Sequence, residues 1–501
     1  MIPALMAIDV GTSHSKVGLY RVDGDLVKVS SHRTQTLSNQ AGQFYYQPDD
    51  IWRTIASGIR EVLDGDGDVR VLAIAIASMA ESGVMVHRQT GVPLSECIPW
   101  FDRRSSDQAE WIVNSDRPFA RFSKSGLHPS FKCGLAKVLW LFQNTDAGFS
   151  QGVWLSLADY IAFRLTHKLA TDYSLAARTL AFRIDTKEWD TPWIASFKLP
   201  KGLFPDAYPA GTVIGKTHAE LDGIGLRPGI PVSIAGHDHI CASLGLGATR
   251  VGDVYDSMGT AETLCGTLEE RELGEIEYQS GLAYSCSMIP GQRVWIGGLP
   301  SSGGAVDWMR TEWFSPPATY EELREITTQF RQSPTGILFY PYLVGAGAPL
   351  PDPSVSGAFI GLTKSHTKID VVKAVLEGTA YEMESIRARA EAVSGRPIKH
   401  MMAVGGGARL SAWLQIKSNV SGCRIDVSDE TEATLRGAAL FAGISAQVYR
   451  DFAEATRVVE SRRVTSVYEA DQALHEAYQN VYAKRYQPVN QALREIYQRL
   501  S

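Results

Sequence analysis

The chain lacks most of the features that would narrow its function quickly. Of its 501 residues only 6 are cysteine. Cys97, Cys133, Cys241, Cys265, Cys286 and Cys423 are scattered with no CxxC spacing, so neither a disulfide framework nor a cysteine-based zinc site is expected. No run of four or more basic residues occurs and the formal net charge is -6, which argues against nucleic acid or an anionic membrane surface as the main partner. The longest apolar stretch, "VLAIAIASMA" from Val71 to Ala80, is about half a bilayer span. Asp9 interrupts the short apolar opening, leaving no pattern of an export signal, and a reducing cytoplasm is the expected compartment. Neither GxGxxG nor GxxxxGK[ST] is present, so the Rossmann and P-loop readings lose their main support. There is no short-period repeat, which weighs against a solenoid.

What is present is ordinary in bulk and unusual in detail. A hydrophobic content of 44% with 21% charged residues suits a water-soluble globular protein, and the length calls for two domains, or three. The opening "AIDVGTSHSKVGLY" reads as a hairpin: strand Met6 to Val10, turn Gly11 to Ser13, strand Lys16 to Val22. "DGDLV" supplies a further turn, Asp50 to Leu63 has helical spacing, and "VRVLAIAIAS" is a strand of the kind buried on both faces. Strands alternating with helices predict an α/β protein with a largely parallel or mixed sheet. A glycine-rich boundary spans Gly236 to Asp256, and beyond it "YDSMGTAETLCGTL" repeats the pattern of an acid and then Gly-Thr inside a strand-turn-strand unit. The two Gly-Thr pairs lie about half the chain apart, as an ancient duplication would leave them. Apolar or small residues at 372, 376, 379, 383, 386, 390 and 393 predict one stripe of a core helix. "MMAVGGG" is a strand running into glycines, followed by a helix, and the tail from Asp471 to Leu500 is helical with an interruption near Pro488.

A tight Gly-Thr corner lets backbone N–H groups converge on an anion. One such corner alone is an ordinary turn, whereas two corners and a third glycine loop form a set. Thr12, Ser13, Gly259 and Thr260 are therefore phosphate-contact candidates. Asp9 is a hard oxygen donor suited to Mg²⁺, and Lys16 could offer a point charge to a γ-phosphate. "GGGARLSAWLQ" places glycines at a helix N-terminus, where anions are favoured. In "IAGHDHICASLGLG", Asp238 follows an apolar strand and could take the proton of a hydroxyl attacking a phosphate. His237 and His239 have no third clustered ligand and are read as shaping the site.

These motifs together resemble the FGGY family of sugar kinases, in the superfamily of actin and hexokinase. The opening is similar to that family's D-x-G-T-x-x-x-K hairpin. "IPWFDRRSSD" resembles its W-x-D-x-R segment, "TDYSLAARTLAFRIDTKEWD" its T-D-x-S stretch, and "GHDHICASLG" the segment of the catalytic aspartate. "YDSMGTAETL", "GAFIGLTKSHTKIDVVKAVLE" and "VGGGARLSAWLQIKSNVSG" resemble the second hairpin, the C-terminal signature and the adenosine loop. The resemblance implies two ribonuclease H-like domains of the actin-like ATPase type with a catalytic cleft between them, residues 1–245 holding sugar and base and residues 246–501 holding nucleotide. It implies ATP-dependent phosphorylation of a small sugar, sugar acid or polyol, a ketopentose-like sugar before the others, with Asp238 as base and Asp9 on Mg²⁺. Gly303, Gly304, Gly406, Gly407, Ala408 and Ser411 would line the nucleotide site, and Glu81, Trp100, Asp102 and Asp238 would hold the substrate. Two readings of the same fold stay open at this point, a silent ATP- or sugar-binding regulator and an actin- or chaperone-like ATPase. A homodimer is plausible.

Overall fold

The computed structural model describes residues 2–64, 69–145, 150–460 and 464–500. The first half of the chain folds around strands β1 (Ile2–Val10), β2 (His14–Arg21), β3 (Leu26–Arg33), β4 (Val69–Ser78) and β5 (Pro231–His237). The second half folds around β6 (Val254–Met258), β7 (Glu262–Glu269), β8 (Gln292–Leu299), β9 (His400–Val404) and β10 (Arg424–Ser428). In the first sheet the order is β3-β2-β1-β4-β5, with Val213–Lys216 as an added edge. In the second it is β8-β7-β6-β9-β10, with edges Ala283–Cys286 and Val464–Tyr468. The five core strands of each sheet make two antiparallel pairs on one side of the first strand and two parallel pairs on the other. The duplication suspected from two Gly-Thr corners is thus repeated strand by strand.

The reasons lie in the sequence. β4 is flanked by parallel neighbours β1 and β5, and Ala73 to Ser78 are all buried, which is why it is apolar without alternation. Pro48–Leu63 forms the first helix, with Pro48 at its start and its buried Ile51, Ile55, Ile59 and Val62 on one stripe.

Four further helices position the site: α1 (Asp238–Gly245), α2 (Lys368–Ser394), α3 (Ser411–Ser421) and α4 (Ala433–Ser445). α4 comes from the second half but packs on β1, β4 and β5 of the first sheet, while α1 touches β6 and β7 of the second. One buried cluster accordingly joins Ala7 and Ala75 of the first sheet, Ile240 of α1, Phe441 of α4 and Cys265 and Ile296 of the second. The two helices cross closely. A Cβ on Gly437 would lie 1.9 Å from the Cys241 carbonyl oxygen, and one on Gly245 2.0 Å from that of Ala433.

α2 carries the expected stripe, with Val372, Leu376, Thr379, Met383, Ile386, Ala390 and Val393 all buried, and it is buried on other faces too. Lys373, Glu377, Glu382 and Glu384 are buried because the C-terminal helices cover the side away from the sheet. Tyr478 donates to Glu377 Oε1 at 3.1 Å and Tyr486 to Glu382 Oε1 at 2.8 Å. The tail interruption is a π-helical turn, Tyr482–Tyr486, between Gln472–Val481 and Gln487–Leu500. Pro488 has no N–H for a carbonyl four residues back, and the preceding turn widens.

Candidate active site

β1 and β2 meet at Gly11–Ser13. A Cβ on Gly11 would be 2.7 Å from the His14 carbonyl oxygen, so the corner requires glycine. The Thr34 hydroxyl donates to the Gly11 carbonyl at 2.8 Å and the Thr34 N–H to the Ser13 carbonyl at 2.9 Å, which anchors the turn from outside. Ser13 is exposed, and the Thr12 hydroxyl accepts the indole N–H of Trp100 at 2.9 Å. Trp100 therefore ties the first corner to the segment that follows Ile98. Its ring meets Phe101 edge-on at 5.5 Å and lies under the Lys132 ammonium at 5.3 Å.

At the second corner Gly259 and Thr260 are exposed. Their carbonyls accept the N–H groups of Gly303 and Gly304 at 3.1 and 2.9 Å, and a Cβ on Gly303 would fall 2.4 Å from the Gly259 oxygen. On the other side Gly405 has φ +98°, and a Cβ there would be 2.7 Å from the Met258 carbonyl. Gly407 packs on Met258 and Trp413, Gly406 faces open space, Ala408 closes the turn by donating to Gly405, and Ser411 stands exposed as the first residue of α3. Gly303, Gly304, Gly405 and Gly407 thus pack against one hairpin, with Gly406, Ala408 and Ser411 in the loop and helix start beside them. Beneath it Lys417 of α3 pairs with Glu262 and, at 3.3 Å, with Asp256, and Ser302 donates to Glu262 at 2.6 Å. Burial alone would discharge Lys417; the two carboxylates outweigh it and hold the ammonium charged.

Asp238 begins α1, between the two hairpins. His239 donates its backbone N–H to Asp238 Oδ1 at 2.7 Å, and its ring lies 6.2 Å from Tyr255 of β6. Burial raises the Asp238 pKa, with Glu81 adding to the rise and His239 and Arg178 opposing it. His237 Nε2 sits 3.2 Å from the same carboxylate, and burial holds this imidazole neutral, well below its ordinary pKa. Asp9, at the end of β1, has its pKa pushed well up by burial and then by the charge of Asp238. Its Oδ1 is buried with no hydrogen-bond partner among the described residues. An orphaned carboxylate oxygen beside a second carboxylate fits a hard divalent cation.

Glu81 occupies a left-handed backbone position, φ 65°, which is strained for a residue with a side chain. Lys137, fully buried, holds it there by donating to the carbonyls of Glu81 and Lys132, both at 2.6 Å. The Glu81 carboxylate pairs with Arg178. Burial works to raise its pKa, but Arg178, Lys132 and Lys137 together bring it below the usual value. Arg178 keeps Nε and Nη1 without partners among the described residues, beside a small cavity also lined by Asp159 and Thr171. Sequence reasoning missed Arg178 and Lys137. The available signal was a charged residue inside an apolar run, in "SLAARTLAF" and "CGLAKVLWLF".

Two expectations need correction. The Lys16 ammonium is not free for a phosphate: Glu432, from the second half, takes it at 2.7 and 3.0 Å. Asp102 does not offer a free carboxylate to a substrate. It is 2% exposed, accepts the Phe44 N–H at 2.6 Å through Oδ2, and accepts the Arg104 N–H and Nε at 3.0 and 2.6 Å through Oδ1. The smaller group with open donors or acceptors is Asp9, Thr12, Ser13, Glu81, Asp238 and the glycine loops, while Trp100 spends its indole N–H on Thr12 and offers a ring face. Among the described residues no helix is long and apolar enough to cross a membrane.

The chain is similar along its length to known proteins. The chain is 24% identical over 457 residues to a glycerol kinase of Saccharolobus islandicus, covering 90% of this chain and 89% of that protein. It is 26% identical over 455 residues to a gluconokinase of Bacillus licheniformis, covering 88% and 87%. Its fold matches the gluconate kinase structure from Lactobacillus acidophilus with a TM-score of 0.92 at 22% identity, covering 100% of both chains. It matches Plasmodium falciparum glycerol kinase with ADP at a TM-score of 0.87 and 21% identity, covering 97% and 98%. The profiles of the N-terminal and C-terminal domains of the FGGY carbohydrate kinases match residues 4–245 and 254–446. With both profiles satisfied across two like-built sheets, the chain belongs to the FGGY family of carbohydrate kinases, ATP-dependent phosphotransferases.

Proposed function

We propose that this kinase phosphorylates a hydroxyl of a small neutral sugar of ketopentose type, with residues 1–245 presenting the sugar and base and residues 246–501 the nucleotide. The observation that carries the reading is the position of Asp238: a half-buried carboxylate with a raised pKa, at a helix start, close enough to Asp9 of β1 and Tyr255 of β6 for its charge to act on both. Asp238 accepts the proton of the attacking hydroxyl as its oxygen bonds to the γ-phosphorus; the bond to the β–γ bridging oxygen breaks and ADP leaves. Thr12, Ser13, Gly259 and Thr260 hold the phosphates. Gly303, Gly304, Gly406, Gly407, Ala408 and Ser411 line the nucleotide. Asp9 would hold Mg²⁺, which supplies charge neutralisation at the phosphates when bound. Lys16 acts by tying the first corner to Glu432 rather than by touching phosphate.

The preference for a neutral sugar rests on charge. Arg178 gives Nη2 to Glu81 and, with Nε and Nη1 unpartnered among the described residues, lines the small cavity of Asp159 and Thr171, while Lys137 gives to two carbonyls. Toward the sugar the pocket offers the Glu81 and Asp238 carboxylates to hydroxyls and the Trp100 indole face to C–H groups. A sugar acid would bring its carboxylate toward Glu81. Relatives are named for glycerol, gluconate and xylulose, and the test spans those three classes. ADP release is measured over a panel of ketopentoses, sugar acids and polyols, and the highest kcat/KM is expected with a ketopentose. A clear preference for gluconate would sink the charge argument, and ATP hydrolysis indifferent to every sugar would sink the kinase reading of the pocket.

A further inference from the structure

Away from the cleft, the end of the helix Leu157–Thr166 meets the 3-10 turn Ala219–Ile224. His167 caps that helix in the left-handed region, φ 56°. His218, which precedes the turn, stacks on it with ring centroids 4.0 Å apart. Glu220 reaches back from the turn, and one nitrogen of each ring and a Glu220 carboxylate oxygen all lie within 4.8 Å of one another. We propose that His167, His218 and Glu220 form a binding site for a borderline divalent transition metal, zinc before others.

Three observations carry this. First, His218 Nε2 lies 3.1 Å from the Arg164 carbonyl oxygen. A carbonyl only accepts, so Nε2 carries a proton, and Nδ1 is the nitrogen left to take a metal, on the Glu220 side of the ring. Metal-bound histidines are oriented this way, with the second nitrogen donating to a carbonyl. Second, His218 Nδ1 is buried and has no hydrogen-bond partner among the described residues, and Glu220 Oε2 stands 3.9 Å from it. That gap is too long for a hydrogen bond. It is near the ~3.4 Å between neighbouring ligands of a tetrahedral ion with bonds of ~2.0–2.1 Å. Third, the site sits over the C-terminal carbonyls of a helix, where a cation is favoured. The nearest arginine is turned elsewhere: Arg164 binds Asp49 at 3.1 Å and lies over Trp52.

His167 is exposed at its corner, so its ring can rotate out of the stack to bring a nitrogen onto the ion. Two imidazoles and one carboxylate leave the fourth position to water, a donor set that suits zinc better than calcium or magnesium. The ion would clamp the helix end to the turn, so its effect is on stability, not on phosphoryl transfer.

Tag-free protein titrated with zinc chloride tests the site. One zinc per chain is expected with micromolar affinity, together with a rise in Tm. E220Q, at an 82% exposed side chain, folds normally and should weaken binding about tenfold or more, as should H167A and H218A, with sugar-dependent ADP release unchanged in E220Q and H167A. Zinc binding unaltered in both E220Q and H167A, or no stoichiometric binding at all, overturns the proposal.

Discussion

The proposed role of Asp238 as the base can be tested directly. D238N is expected to lower kcat by about 10²–10⁴ while leaving the KM for ATP within a few-fold. Because burial raises the Asp238 pKa and only the ionised base accepts a proton, kcat/KM should climb with pH through a value above the usual carboxylate range. Loss of that acid limb in D238N is the check, and an unchanged limb assigns the titration elsewhere. Glu81 makes a separate prediction: E81Q should cut kcat/KM for sugar about 10²-fold and leave ATP binding in place, read from KM values for the two substrates. A third concerns stability. Burial pushes the carboxyls of Asp159 and Asp172 up to about 7 and about 6. The fold then keeps protons across pH 4–7 that the unfolded chain has released, so stability falls as pH rises through that window. D159N should flatten the slope of Tm against pH, and an unaltered slope would remove Asp159 from the account.

At the scale of elements, the glycine loops of the second half pack on the β6–β7 hairpin, Gly405 and Gly407 against Met258 and Gly303 against Gly259. Gly405 is left-handed and has the Met258 carbonyl where a Cβ would go. G405A combines backbone strain with a clash against main chain that cannot swing aside. A rise of about tenfold or more in the KM for ATP, with sugar binding preserved, is expected from steady-state kinetics. K417M strands two buried carboxylates under the same hairpin, and breaking such a network costs about 3–5 kcal/mol. Its Tm should fall well below that of G405A, because the Lys417 network supports the hairpin from inside the core. The hairpins, the strand β4, the stripe of α2 and the helix after "MMAVGGG" were all legible from spacing and glycine position. The buried ion network was not, because a lysine in "LQIKSNV" looks like the polar face of any helix until α3 is laid against β6 and β7.

For the whole molecule, the two halves are held together by exchanged helices, with α4 on the first sheet and α1 against the second. Close approach at Gly245 and Gly437 fixes the crossing of these two helices, and a kinase relies on the packing between its halves to close on substrate and exclude water. G437A introduces a Cβ into the Cys241 carbonyl at an overpacking cost of about 1–3 kcal/mol. Thermal unfolding at lower temperature and a reduced kcat are expected together, since one displaced crossing affects both. A wild-type Tm and kcat in G437A would show that the crossing tolerates separation.

The order of residues along the chain determined the local pieces: which segments alternate or run apolar, where glycine opens a corner, and which acids stand beside those corners. Such features depend on neighbours a few positions away, and spacing records them. The partners of charged groups came only with the tertiary structure. Lys16 and Glu432 are 416 positions apart, Glu81 and Arg178 are 97, and no local pattern couples them. Whether a carboxylate stays available to a substrate, as we propose for Glu81 and Asp238, or is consumed by an arginine and a backbone N–H, as Asp102 is, depends on which surfaces burial brings together.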